Sequence, residues 1–358
     1  MSHRLRRSSA LRLIVTGLAL SGLLWAGHGA FVLAAPAPGV ELSVAGEGFV
    51  TVAHQAVGGV SQTIGVLAGR LELRLYAAAA PSWWAALTVE PWLPLDASGL
   101  GEAPQGSIAV TEAHAGFRFP TADVYVGRFQ LPVETGRLTA PFTLASYDAA
   151  GRRRGVDGVR ADVYLSNGRL QVAAIKAGQQ RTPLIGWRQQ LVGWEATGYL
   201  LWQEDGPAAG VGASGLVRST VVYGEAWSLP GEQGLRGSVG ATGYLGDSLW
   251  TVELARASFP AAQTSGPQAP AVPLAAAQLA HAFPSGWTVV ADAAAVLRDE
   301  TPAAGPALGK QERPHQLSVA VTYELIPGQA EVELSVRRQV CPPQPEVLGA
   351  VVGLRWFF

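Results

Sequence analysis

Apolar and polar residues alternate along many short stretches of this chain, with the period of a β-strand. In the segment 329–337, for example, Val332 and Leu334 fall on one face, whereas Glu331 and Glu333 fall on the other. A period of two indicates strands that have one apolar face and one polar face. The chain is therefore predicted to be all-β.

Alternating segments are separated by clusters of Gly, Pro, Asn, Asp and Ser, which are the residues of turns. The candidate strands lie near 41–54, 67–80, 83–93, 107–119, 123–135, 156–166, 169–179, 190–203, 208–217, 219–229, 234–245, 248–258, 272–283, 286–297, 315–325, 329–339 and 346–358. The alternation is lost between Gln179 and Trp194. Single-chain bacterial barrels have an even number of strands. We therefore expect one antiparallel transmembrane β-barrel of about 16 strands, with 18 as the alternative.

The C-terminal segment EVLGAVVGLRWFF indicates that this barrel lies in a membrane. Leu354, Trp356 and Phe358 continue an unbroken apolar face, while Gly353 and Arg355 fall on the other face. One apolar and one small or charged face suit a barrel wall between lipid and water. The alternative is the edge strand of a soluble, secreted β-sandwich. Tryptophans near the ends of predicted strands favour the membrane barrel, because such barrels carry aromatic girdles at both interfaces.

The N-terminus has the layout of a secretory signal. Four arginines and no acidic residue precede an apolar run that ends in small residues and prolines. We expect residues 1–34 to be a cleaved signal peptide and residues 35–358 to be the barrel. A retained membrane anchor is the alternative, because the apolar run is long enough to span a bilayer.

Charge and histidine content exclude several function classes. Loss of the four N-terminal arginines leaves 22 basic residues against 27 acidic ones, a net charge of −5. No nucleic-acid partner is expected, because such partners require a basic surface. His54, His114, His281 and His315 lie in no recognisable nucleophile or zinc-ligand motif. We therefore expect neither an enzyme nor a bound cofactor or metal, and a membrane-embedded hydrolase is the least favoured alternative.

The segment 137–155 is the longest predicted loop, and it carries the strongest candidate functional residues. If this loop folds into the lumen, its charged residues would narrow the pore and favour anions: Arg137, Asp148, Arg152, Arg153 and Arg154. The adjoining strands supply four further candidates for the lumen wall: Arg128, Glu134, Arg160 and Asp162. The alternative is a solvated outer loop whose arginines bind the phosphates of lipopolysaccharide.

The stretch AGFRFPTADVYVGRFQLPVETGRLTAP…RRRGVDGVRADVYLSNGRLQVAA, residues 115–174, resembles bacterial outer-membrane porins, and so does the terminal strand. The resemblance implies passive diffusion of small hydrophilic solutes or ions through an outer-membrane channel. It also implies outer-membrane lipid and the barrel-assembly machinery as partners, with Leu354, Trp356 and Phe358 as the assembly signal. A homo-oligomer is compatible with it. The alternative within this class is a non-conducting barrel that serves adhesion or envelope structure.

Overall fold

The computed structural model describes residues 40–57, 60–77, 82–95, 106–131, 133, 138–139, 146–147, 153–177, 180–231, 234–257, 271–297, 315–340 and 346–357. Its strands, in chain order, are β1 (Val40–Val57), β2 (Val60–Ala77), β3 (Ser82–Leu95), β4 (Ser107–Phe119), β5 (Ala122–Phe129), β6 (Ser146–Tyr147), β7 (Arg153–Arg154), β8 (Val156–Leu165), β9 (Gly168–Ala177), β10 (Gln180–Leu191), β11 (Trp194–Gln203), β12 (Gly206–Val217), β13 (Thr220–Ser228), β14 (Leu235–Leu245), β15 (Ser248–Ala257), β16 (Val272–Ala282), β17 (Trp287–Val296), β18 (His315–Ile326), β19 (Ala330–Val340) and β20 (Val347–Phe357).

Eighteen of these strands form one antiparallel sheet, and the sheet closes into a barrel. Strand β1 pairs with β2 on one side and with β20 on the other, so the wall has no free edge. The two short strands β6 and β7 pair only with each other, within the connection from β5 to β8. The expected all-β barrel is confirmed, but the count of about 16 was wrong and the alternative of 18 is correct.

Strand β10 has no counterpart among the predicted strands. It occupies the region in which no alternation was found, and it pairs with β9 and β11 along most of its length. Both of its faces carry apolar residues, because Ile185 and Trp187 lie on the outer face while Leu184 is buried on the inner one. An apolar inner face removes the contrast on which a period-two pattern depends.

The two faces of the wall are reversed relative to a soluble protein. Large apolar side chains are exposed on the outer face, among them Leu334 and Val336 on β19, while Glu331 and Glu333 of the same strand point inward and approach Arg355. Trp187, Trp194 and Trp202 also lie on the outer face and are 40–42% exposed. This arrangement suits a wall that has lipid outside and water inside.

The two ends of the barrel differ in their connections. Two-residue turns at 120–121, 166–167, 192–193, 218–219 and 246–247 lie at one end, which we name the short-turn rim. The connection 130–155 between β5 and β8 lies at the other end, which we name the long-loop rim. Among the described residues, no helix is long and apolar enough to cross a membrane. The expected signal peptide, residues 1–34, falls outside the described residues.

The seam between β20 and β1 closes the barrel. Leu354 pairs with Val50, and Trp356 pairs with Gly48. The indole of Trp356 lies over Gly48 so closely that a Cβ added at Gly48 would be 2.2 Å from Cζ2 of the ring. Aromatic side chains often cover a glycine on the neighbouring strand in this way, and they fix the register of the pair. Phe358 falls outside the described residues, so its role as an assembly signal stays a prediction.

We expect Gly48→Val to weaken the seam, because the new side chain needs the space that Trp356 occupies. Overpacking of this kind costs about 1–3 kcal/mol. The folded fraction after refolding into detergent, measured by the gel shift between unheated and heated samples, should fall. Gly349→Val is the matched control on β20, where an added Cβ has no neighbour nearer than 3.9 Å. Equal loss of folding in both variants would contradict this account of the seam.

Candidate functional site

The connection between β5 and β8 crosses the inside of the barrel. Leu138 and Thr139 of this connection donate hydrogen bonds to Glu253 on β15. Along the wall, β15 is the eighth strand after β5, so it stands nearly opposite β5 in a barrel of 18 strands. The described residues 130, 131, 133, 138 and 139 therefore reach from one side of the lumen to the other, and we name them the crossing. An 18-stranded barrel without such a crossing would enclose a wide aqueous channel.

One side of the lumen is filled by apolar side chains, which we name the lumen cluster. It joins the connection to the inward faces of β5 and of β8 to β13, and its buried members are Phe129, Leu131, Val133, Val156, Ala173, Ile175, Leu184, Leu201, Ala208, Trp227 and Leu229. Tyr199 stacks on Trp227 with the ring centroids 5.8 Å apart. Burial of these groups removes apolar surface from the water of the lumen and holds the start of the connection against the wall.

Glu253 anchors the far end of the crossing. Its carboxylate is 2% exposed and accepts hydrogen bonds from Leu138 N at 3.1 Å, Thr139 N at 2.9 Å and Tyr223 Oη at 2.9 Å. The Thr139 hydroxyl donates a fourth. Hydrogen bonds to a charged acceptor are stronger than neutral ones, so this anchor is well suited to hold a backbone segment in the lumen.

A second buried carboxylate, on β8, holds together polar side chains of the lumen wall. Asp162 is fully buried and accepts hydrogen bonds from Arg160 at 3.0 Å, Arg169 at 3.3 Å and Gln171 at 3.0 Å. The guanidinium of Arg160 also lies 4.0 Å from the ring centroid of Tyr125. Two arginines share one carboxylate here, so this part of the wall carries a net positive charge.

Further charged pairs continue around the lumen wall towards the short-turn rim. Asp123 accepts two hydrogen bonds of 3.1 Å from Arg118 and one of 2.8 Å from the Tyr164 hydroxyl. On β2, Arg70 and Arg74 lie 2.7 and 3.0 Å from the two oxygens of Glu72. The inner wall is thus polar at β2, β4 and β5, on the side of Asp162 away from the lumen cluster.

The structure brings together only part of the predicted set of site residues. Arg160 and Asp162 face the lumen and contact each other, and their role in a constriction stays a proposal. Arg128 differs from the expectation, because it lies on the outer face and donates two hydrogen bonds to Asp157. The reason is that Tyr125 and Phe129 of the same strand face inward, where they pack with Arg160.

The remaining predicted pore residues belong to the connection 130–155 between β5 and β8. Four of them fall outside the described residues: Glu134, Arg137, Asp148 and Arg152. The backbone of Arg153 and Arg154 forms β7. The next residue, Gly155, donates a hydrogen bond from its backbone N to Thr111 O of β4. A role for these six residues in the pore remains a proposal.

Glu253 was not among the predicted site residues. A glutamate at the inward position between Thr251 and Ala255 was the only local signal of it. Its partner, Thr139, is 114 residues away in the chain. Within the described residues, no group of His, Cys, Asp and Glu side chains could hold a metal ion.

Comparison with known proteins identifies the fold. No protein-family model matches the sequence, and no curated protein matches it. Among solved structures, Pseudomonas aeruginosa OccK9 (OpdG) is similar with a TM-score of 0.66 at 10% identity, covering 89% of this chain and 98% of that one. Acinetobacter baumannii OccAB4 gives 0.61 at 10% identity, covering 89% and 98%.

A third solved structure is P. aeruginosa OccK2 (OpdF) in complex with glucuronate, with a TM-score of 0.61 at 11% identity, covering 89% of this chain and 98% of that one. The Pseudomonas Occ/Opd proteins are outer-membrane porins. Likeness at these identities shows a shared fold. The chain therefore has the closed, 18-stranded barrel fold of the bacterial outer-membrane porins.

Proposed function

We propose that this protein is a porin-like channel of the outer membrane, through which small hydrophilic solutes diffuse passively. The observation that carries the proposal is the crossing of the lumen from β5 to Glu253. A segment anchored in this way narrows the lumen, and a narrowed aqueous lumen selects solutes by size and charge. The barrel needs no catalytic group for this function, and we assign none.

We further propose a preference for anionic solutes. Asp162 faces two arginines, so this cluster on the lumen wall carries excess positive charge. In a narrow pore with low-dielectric walls, such charge raises the local concentration of anions. Glucuronate, the ligand of the similar OccK2 structure, is a small solute of this kind. If they face the lumen as we propose, the arginines 152–154 of the connection between β5 and β8 would add to the same field.

Tracer uptake into proteoliposomes tests both statements. Glucuronate, glucose and glucosamine are similar in size but differ in charge, and we expect uptake to decrease in that order. The ratio of glucuronate to glucosamine uptake should be about tenfold, at the lower end of the effect of charge focusing. Arg152→Ala/Arg153→Ala/Arg154→Ala should lower this ratio while glucose uptake stays unchanged. Equal uptake of the three would contradict the anion preference, and no uptake at all would contradict the channel.

The second candidate is a non-conducting barrel. The lumen cluster supports it, because this cluster and the crossing fill the lumen beside β8 to β13. Among the described residues, the wall from β16 through β20 to β4 contributes no side chain to that cluster, and it carries the ion pairs of Glu72 and Arg355. These ion pairs favour a hydrated path along this half of the wall, so conduction is the first candidate. For the membrane, we propose outer-membrane lipid and the barrel-assembly machinery as partners.

A further inference from the structure

Four charged side chains form a row across the outer surface of the barrel at the long-loop rim. Arg128 of β5 pairs in register with Asp157 of β8, Asp157 with Lys176 of β9, and Lys176 with Arg181 of β10. Paired residues of an antiparallel sheet point to the same face, so the four side chains stand side by side. At about 4.8 Å between strands, the row spans about 14 Å. We name it the outer charged row.

The neighbours of the row show that it faces outward. Val126 and Val159 occupy the same face, each two residues further along its strand towards the middle of the barrel, and both are about half exposed. The residues beside the row that point inward, Ile175 and Thr182, are 2% exposed. The row therefore lies at the end of the apolar outer band that is nearer the long-loop rim. In a membrane, this is the level of the lipid headgroups.

The row carries more positive than negative charge. Arg128 forms two hydrogen bonds of 2.8 and 2.9 Å with Asp157, which neutralises that pair. Lys176 and Arg181 are exposed and form no ion pair with any of the described residues. On the other side, the residue of β4 that pairs with Arg128 is the uncharged Ala113. Within the row itself, from β5 to β10, the surplus is therefore two cations.

We propose that the outer charged row binds the phosphate groups of an anionic lipid in the leaflet at the long-loop rim. The apolar band beside the row contacts the acyl chains, and Lys176 and Arg181 contact the phosphates. A soluble partner does not fit, because lipid covers the apolar band on which such a partner would have to rest. The proposal rests on the membrane location in the proposed function, and it goes beyond that function because the row lies outside the lumen.

Lipid binding to the purified protein in detergent tests the proposal. The probes are a lipid A with two phosphates, the same lipid without phosphate, and inorganic phosphate, with dissociation constants measured by titration at low salt. Each basic residue near an anionic lipid surface contributes about fivefold in binding. Lys176→Gln/Arg181→Gln should therefore weaken binding of the phosphorylated lipid about twenty-five-fold and leave the phosphate-free lipid unchanged. Arg128 is kept in this variant, because its pair with Asp157 joins two strands.

Arg218→Asn is the control. It removes a cation from an exposed turn of the short-turn rim, where the residue has a φ of 58° that asparagine tolerates well. Unchanged lipid binding in this variant supports the proposal. Equal weakening by Arg218→Asn, or binding of inorganic phosphate as tight as that of the lipid, would overturn it. A protein that binds the lipid but passes no solute would contradict the channel and leave the lipid site standing.

Discussion

Replacement of Glu253 by alanine is expected to raise the single-channel conductance and to make the open current noisier. The variant removes the acceptor of four hydrogen bonds, two of them from the backbone of the crossing. Counting only those two at the value for charged acceptors, the crossing loses about 3 kcal/mol of anchoring free energy. A loss of this size shifts the ratio of anchored to released crossings about a hundredfold.

Planar-bilayer recordings of wild type, Glu253→Ala and Glu195→Ala measure this effect. Glu195 is the matched control, because it also faces the lumen but lies on β11 at the short-turn rim, where it pairs with Arg188 at 3.6 Å. Tyr223→Phe should give an intermediate result, because it removes one of the four donors. Conductance of Glu253→Ala equal to that of wild type would contradict the anchor.

Asp162→Ala is expected to cause the largest loss of stability. The carboxylate is fully buried, and its removal leaves Arg160 and Arg169 close together without an acid between them. Breaking a buried ion pair in this way costs about 3–5 kcal/mol, because one charge remains buried and uncompensated. Arg169 is 27% exposed, so water screens part of the cost, and we expect about 3 kcal/mol.

Urea unfolding of the barrel in lipid vesicles measures this loss, and Asp157→Ala is the matched control. Both aspartates lie on β8 and both pair with an arginine, but Asp157 is 51% exposed on the outer surface. An exposed pair contributes at most about 1 kcal/mol. Similar losses in the two variants would mean that the lumen wall at Asp162 is as open to water as the outer surface.

The fold class could be predicted from the sequence because alternation survives in most strands. The terminal strand shows this clearly, since Leu348 and Val352 are exposed on the outer face while Arg355 points inward to Glu331, as expected. Strand β10 could not be found, because the lumen cluster makes its inner face apolar. The same cluster explains Arg128, since alternation alone does not show which of two faces is the lumen.

The arrangement of the site residues was harder to predict from the sequence than the fold. The pair of Arg160 and Asp162 lies within one strand, and its spacing of two residues places both on one face. The anchor at Glu253 joins positions more than a hundred residues apart, and only the closed barrel brings them together. The local pattern of a single sequence does not show which residue a charged side chain will contact on the far side of a lumen.

The current through the purified protein in a planar lipid bilayer tests the central claim most directly. We predict discrete and stable steps in wild type, because the proposed channel requires a continuous path of water through the partly filled lumen of the 18-stranded wall. Folding of the same preparation is verified by the gel shift on heating. A folded barrel that inserts into the bilayer and gives no current steps would contradict the channel.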